Sequence, residues 1–280
     1  MFELTDDEAV VVAVKAALDS RGVGRAAQLS TMGALALNLA LVNKVRWVWE
    51  SVCQAVAAPT FSTDFDKHSW LSAWADFYLR AATEWQEAQR DPASSTVDQA
   101  GRLIIGWHHR SWPCLARQCG RWGALAIVAR RSAWLNSVFH GNVVMMGDPD
   151  LGSRLEAACV SGQPIAAMLD YCYDHTRSAD WSPFLGRQCR TPSGIFGLVA
   201  RYDYPVAVMA PENAGWRVRC QFKSGQTSRQ RCVDRVNAEL TQMICQDPAQ
   251  WLLWPSLDRR WYRQHNSLDD SPSRNAAALQ

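Results

Sequence analysis

The sequence predicts an α/β protein, a mixed and mostly parallel sheet flanked by helices and preceded by a helical N-terminal part. Three observations carry that expectation. Residues 1–95 follow a helical period, clearest in Leu71–Gln89, where Trp74, Phe77, Tyr78, Ala81 and Trp85 fall on one stripe. From residue 96 onward short apolar runs alternate with helical stretches: Leu103–Ile105, Gly123–Ala129, Gly162–Asp170 and Pro205–Ala210. Strands separated by helices build parallel sheets. Trp216–Phe222 instead alternates polar and apolar residues and reads as an antiparallel partner. The expected organisation is a helical region over 1–95, an α/β domain over 96–262 and a disordered polar tail over 263–280.

Taken in order, Thr5 and Glu8 form a capping box ahead of a helix over Ala9–Leu18, which Gly22 and Gly24 end. A longer helix is expected from about Ala26 to Ala57, stopping before Pro59. Within it, Asn43–Trp49 mixes cations with two tryptophans. That mixture suits either a headgroup-facing surface or a core-facing helix with a basic outer side. Asp91–Ser95 reads as a loop. Cys114–Gly120 is expected to be helical, as is Pro149–Ser161. Ser182–Gly194 reads as a loop. Thr191 suits an N-cap and Pro192 a first helical position, for a helix reaching about Ala200. Ser228–Cys245 is the next helix, and Asp247–Pro248 opens a short last one through Trp254.

Composition bounds the function. Hydrophobic residues make up 48%, enough for a real core, and 280 residues suit one large domain or two small ones. The formal charge of +2 gives no polyanion signal, so no nucleic-acid partner is expected. Nine cysteines, an odd number without a Cys-x-x-Cys pair, fit reduced thiols in a cytoplasm. The most apolar run, Met32–Val42, has eleven residues against the roughly 20 a span needs. Thr5–Glu8 is too acidic to follow the start of a signal peptide. The expected location is cytoplasmic or peripheral on the inner face of the membrane, where the fourteen tryptophans could also serve.

The chemistry centres on Arg102–Pro113. Gly106 closes the apolar run Leu103–Ile105, and His108 and His109 follow at the strand's carboxyl end. Parallel sheets keep reactive groups at that edge, and an imidazole there can act as a base near neutral pH. The alternative is a hydrogen-bonded histidine pair closing a loop. A metal site drawing on His108, His109, Cys114, Cys119, Cys172 and His175 is the weaker rival; the prediction is no metal. No phosphate loop, dinucleotide fingerprint or Gly-x-Ser-x-Gly elbow is present.

Several pieces then line up. A glycine-led strand ends in Asp170. Pro183-Phe184-Leu185-Gly186 precedes Thr191 and Gly194. Asn237–Leu240 follows, and the chain closes on Asp247-Pro248-Ala249-Gln250-Trp251 and Arg259-Arg260-Trp261. In this order, and with Ile105–Trp112 upstream, residues 95–262 resemble the bacterial lipid A late acyltransferases, the lauroyl and myristoyl transferases. The resemblance implies a glycerophosphate-acyltransferase-like fold. It implies transfer of a fatty or related acyl group from a thioester on acyl carrier protein or CoA to a hydroxyl or amine of a lipid or small-molecule acceptor. No cofactor is implied. It makes His108 the first choice of base, with His109 as the alternative register. It assigns substrate binding to Arg131, Phe184, Gly186 and Thr191; Arg187 and Arg190 flank the same loop, where they could meet a phosphate or an acidic carrier protein.

The departures are specific. The family has an acid four residues beyond its histidine plus one; here Pro113 stands there counting from His108, and Cys114 counting from His109. Proline can neither orient an imidazole nor stabilise its protonated form. The segment after Arg131 is short, and the N-terminal membrane span of the family has no counterpart. Asp170, at the end of a neighbouring strand, is the expected replacement acid, with Asp174 next. Pro113 equally favours a non-enzymatic alternative: a degenerate acyl- or carrier-protein-binding accessory protein.

Overall fold

The computed structural model describes residues 5–56, 65–90, 102–173, 176–212, 215–225 and 227–261. The tail over 263–280, the Asp91–Ser95 loop, Asp174 and His175 lie outside the described residues, as does the Thr5 side chain.

Four helices open the chain: α1 (Thr5–Arg21), α2 (Val23–Asn38), α3 (Val42–Ala55) and α4 (Lys67–Arg90). Gly22, with φ 77°, makes the break between α1 and α2. The single helix expected over 26–57 is instead divided by a 3₁₀ turn at Leu39–Leu41. Asn38, just before that turn, is fully buried and donates to the Tyr78 hydroxyl at 3.5 Å. Tyr78 in turn donates to the Asp7 carboxylate, so one polar thread pins α1 and α2 to α4. The expected capping box fails in part. The Glu8 carboxylate accepts from the Ala133 N–H at 2.7 Å and so ties α1 to a distant helix rather than capping its own. The apolar stripe of α4 is buried as its period requires, through Trp70, Trp74, Phe77, Tyr78 and Ala81.

The α/β part contains β1 (Leu103–Gly106), α5 (Trp112–Arg121), β2 (Leu125–Val128), α6 (Ala133–Val138), β3 (Val143–Met145), α7 (Leu151–Ser161) and β4 (Ile165–Met168). It continues with β5 (Ala179–Phe184), β6 (Arg187–Pro192), α8 (Gly194–Arg201), β7 (Pro205–Glu212), β8 (Gly215–Lys223), α9 (Arg229–Gln246) and α10 (Leu257–Arg260). The main sheet runs in the order β3-β2-β4-β1-β7-β8. Its first five strands are parallel and β8 pairs antiparallel with β7, the edge expected from the alternation in Trp216–Phe222.

This order fixes where a site can form. From β1 the chain moves outward to β2 and β3, then returns to place β4 between β2 and β1. From β4 it crosses to β7 on the other side of β1. Right-handed crossovers in opposite directions put their helices on opposite faces. Accordingly α5 and α6 pack with α4, while α7 packs on α8 and α8 on α9. The crevice between the carboxyl ends of β1 and β4 is thus the switch point of the sheet, where ligands bind in such folds.

Three local expectations are corrected. Ser182–Gly194 is a hairpin, β5 paired with β6, turning on Leu185 and Gly186 with φ 49° and 75°. Positive φ at both turn residues is what a two-residue hairpin of matching twist requires. Thr191 and Pro192 therefore end β6, and Ser193 stands before α8. The last helix expected through Trp254 is two 3₁₀ turns, Pro248–Gln250 and Trp254–Ser256, with an extended Trp251 between them.

Candidate active site

His108 follows β1 by two residues and Asp170 follows β4 by two. The pairing of Gly106 with Met168 puts the two loops side by side. Asp170 Oδ1 lies 2.8 Å from His108 Nδ1. The other carboxylate oxygen accepts two N–H groups, the His108 backbone amide and the Trp251 indole, each at 2.8 Å. Burial opposes charge on Asp170. The His108 imidazole and these three hydrogen bonds outweigh it and hold the carboxyl below its usual range. With Nδ1 committed to Asp170, Nε2 is the nitrogen left to a reactant. The His108 side chain keeps 23% of its surface.

The two histidines are sharply different. His109 packs between Trp107 and Trp216, and its Nδ1 accepts the Ser111 N–H at 3.1 Å. Burial, then the nearby Arg110 and Arg80 charges, pushes its pKa down to about 3. It is a neutral packing residue and does not line the cavity. The alternative register therefore places no base at the site.

His108 stands at the wall of a cavity of about 1000 Å³. Its lining is largely apolar, including Phe77 and Trp74 of α4, Leu115 of α5, Trp134 of α6 and Phe139 just after it, and Leu198 of α8. Ile104, Ala166 and Ala126 stand in one register row across β1, β4 and β2, and all three line it. The two alanines leave room that the row's other side chain does not fill. Arg130 and Arg177 are the cations among the lining residues, with Tyr171 and Tyr173 nearby on the same wall. Burial, followed by the neighbouring Tyr171, raises the Tyr173 hydroxyl to about 12, so it stays a neutral hydrogen-bonding group.

Behind Asp170 the signature residues of the chain's end form a buried scaffold. Arg260, 1% exposed, donates to the Asp170 carbonyl at 2.6 Å, to the Arg190 carbonyl at 3.0 Å and to Thr191 Oγ1 at 3.1 Å. Its guanidinium lies 4.4 Å over the Phe184 ring. Asn237 donates to the same Thr191 oxygen at 2.8 Å.

The residues expected to bind substrate are largely displaced from the cavity. Phe184 and Thr191 are buried under Arg260, where they support Asp170. Gly186 sits where a Cβ would meet the Ala55 backbone at 2.7 Å, so it serves helix–hairpin packing. Arg187 stacks on Trp261 at 4.2 Å. Arg131 points to solvent, 4.0 Å from Asp148; its neighbour Arg130 is the one at the cavity. Pro113 is buried in the first turn of α5, whereas Trp112 beside it meets the His108 ring edge to face at 5.9 Å. Trp251 and Arg260 were visible as a motif, but their partner was not. Only the fold brings them to Asp170. Among the described residues no group of three or more His, Cys, Asp or Glu converges on a metal site, and none of the nine cysteines is in a disulfide.

The chain matches no protein-family model and no curated protein at a significant level.

Proposed function

We propose that the protein is an acyltransferase, moving a fatty or related acyl group from a carrier thioester to a hydroxyl or amine. The observation that carries this reading is the His108–Asp170 pair at the wall of a large, mainly apolar cavity with two arginines among its lining. A cavity near the upper end of the ~300–1,000 Å³ range of ligand pockets suits an acyl chain. Arg130 and Arg177 suit an anionic group on the donor or acceptor, such as a phosphate. The similarity of Gly162–Trp261 to lipid A late acyltransferases supports the same class, and with it a glycerophosphate-acyltransferase-like reading of the fold.

The chemistry follows from the geometry. His108 Nε2 takes the proton of the acceptor as its oxygen or nitrogen bonds to the thioester carbonyl carbon. Asp170 stabilises the imidazolium that results. The tetrahedral intermediate then expels sulfur, and the thiolate leaves with the proton from His108. The products are an ester or amide and the free carrier thiol.

The accessory-protein reading rested on Pro113. An acid already at His108 Nδ1 weakens that ground, because the imidazole has the partner the motif position lacks. Incubation with acyl carrier protein and CoA thioesters, followed by mass spectrometry, separates the two. Loss of the acyl group that depends on His108 supports the enzyme. Tight binding without transfer supports the accessory protein.

A peripheral membrane location has its own support. Val23–Ala55 is a 33-residue helical stretch long and apolar enough to cross a membrane by length and composition, with 28% of its most apolar window buried. Met32, Leu35 and Leu39 are exposed along it, and Trp47 follows at 52% exposure beside Arg46. Apolar side chains next to Trp and a cation suit a headgroup layer.

A further inference from the structure

We infer that Trp251 is a positioning residue that sets the basicity of His108 by sharing the Asp170 carboxylate with it. The inference rests on the reading of His108 as the base. Asp170 is fully buried and accepts N–H groups at both oxygens. The Trp251 indole and the His108 imidazole therefore draw on one charge. Each donor spreads negative charge away from the oxygen facing Nδ1. With the indole bond in place, the carboxylate still orients the ring through Oδ1 while part of its charge is drawn to the indole at Oδ2. A base must stay unprotonated near its working pH.

The structure holds the indole for this purpose. Trp251 has no exposed surface. Its ring meets Phe184 at 5.8 Å and Trp254 at 4.9 Å, both edge to face. Its backbone is stitched to the histidine loop on either side: the Leu252 N–H donates to the His108 carbonyl at 2.9 Å, and the Arg110 N–H to the Gln250 carbonyl at 3.0 Å. The loop that carries the base and the segment that carries the indole are thus fixed to one another before either reaches Asp170. Trp254 is in the same aromatic stack, but its indole donates to the Pro248 carbonyl. It is the matched control.

The test is a pH titration of the His108 ring by nitrogen-15 NMR on the full-length protein, with His108 assigned by its loss in His108→Gln. Trp251→Phe keeps most of the ring and removes the donor. It should raise the His108 midpoint by roughly one pH unit. Trp254→Phe should leave the midpoint in place, and Asp170→Asn should lower it. An unmoved midpoint in Trp251→Phe overturns the inference, and so does an equal shift in Trp254→Phe, which would be a packing effect. Should Trp251→Phe not fold, the wild-type protein still decides. The indole proton within reach of the His108 amide should shift with the His108 midpoint, and an indole proton indifferent to it overturns the inference. Neither readout uses acyl transfer. Failure of turnover would sink the enzyme reading and leave this titration standing, and the reverse holds equally.

Discussion

Asp170 and His108 lie sixty-two residues apart in the chain, and Asp170 Oδ1 stands 2.8 Å from His108 Nδ1. The acid that the motif position lacks thus reaches the imidazole from a neighbouring strand. Nδ1 is already held by Asp170, so a carboxylate introduced by Pro113→Glu cannot take the orienting place of the motif acid. Pro113 is buried, and a charge there carries a desolvation cost. We expect Pro113→Glu to give no gain in acyl transfer and to lower thermal stability. His108→Ala and Asp170→Asn should each reduce kcat by about 10²–10⁴. A thioester-consumption assay checks all three, and full activity in Asp170→Asn would remove Asp170 from the mechanism.

His109 offers the opposite test. Its folded pKa is about 3, against an ordinary 6.5, because burial excludes the charged form. The unfolded chain binds a proton there between those values and the native one does not. The stability it contributes is therefore complete above pH 6.5 and is lost as pH falls toward 3, on the order of 5 kcal/mol across the window. His109→Gln should flatten the fall in urea midpoint between pH 7 and pH 4 while leaving kcat within a few-fold at pH 7. An unchanged slope in the variant would show that His109 is not the group responsible.

The parallel part of the sheet is legible because its central strands are apolar runs: β2 and β4 fall within the expected segments, and β1 and β7 run past theirs by one and two residues. A parallel strand buried on both faces leaves that mark in composition. β3 and α6 left none: three and six residues are too short to display a period, and α6 is specified by Ser132 at its start and by Glu8 from α1. The hairpin β5–β6 reads as a loop because Pro, Gly and Arg dominate it, while its turn depends on Leu185 accepting a positive φ. At the site, the strand-end rule brought out His108 and Asp170. It could not separate His108 from His109, since burial between Trp107 and Trp216 is a property of the packed molecule. The same limit applies to Thr191 and Phe184. Their motif marks a position in the sequence, and only the fold shows that both touch Arg260, which donates to the Asp170 carbonyl.

The register row Ile104–Ala166–Ala126 makes a prediction about chain length. Both alanines line the cavity, and a large ring at the central one would occupy space an acyl chain would need. Ala166→Phe should raise KM for long acyl donors at least tenfold while short donors lose little, since about 0.8 kcal/mol accompanies each methylene that can no longer be buried. Competition between donors of two lengths, read by mass spectrometry, measures this directly. Equal loss for both lengths would place the chain elsewhere.

The exposed face of α2 and α3 bears on where the reaction occurs. Met32 and Leu35, three apart, lie on one side of α2, Leu39 opens the 3₁₀ turn that follows, and all three are exposed. Arg46 and Trp47 extend that side toward α10, where Trp47 meets Trp261 at 5.8 Å and Arg187 covers Trp261. A bilayer surface would bury the leucines and place the cations among lipid headgroups, each basic group adding about 1 kcal/mol on an anionic membrane. We expect the protein to sediment with phosphatidylglycerol vesicles and less with neutral ones, and Leu35→Glu/Leu39→Glu to stay in solution with its fold intact. These side chains make few buried contacts, so the double variant should keep the wild-type melting temperature within a few degrees. A variant that still sediments would move the attachment to another face. If the wild type is a dimer and the variant a monomer, with no vesicle binding by either, the apolar stripe is instead the seat of a second copy.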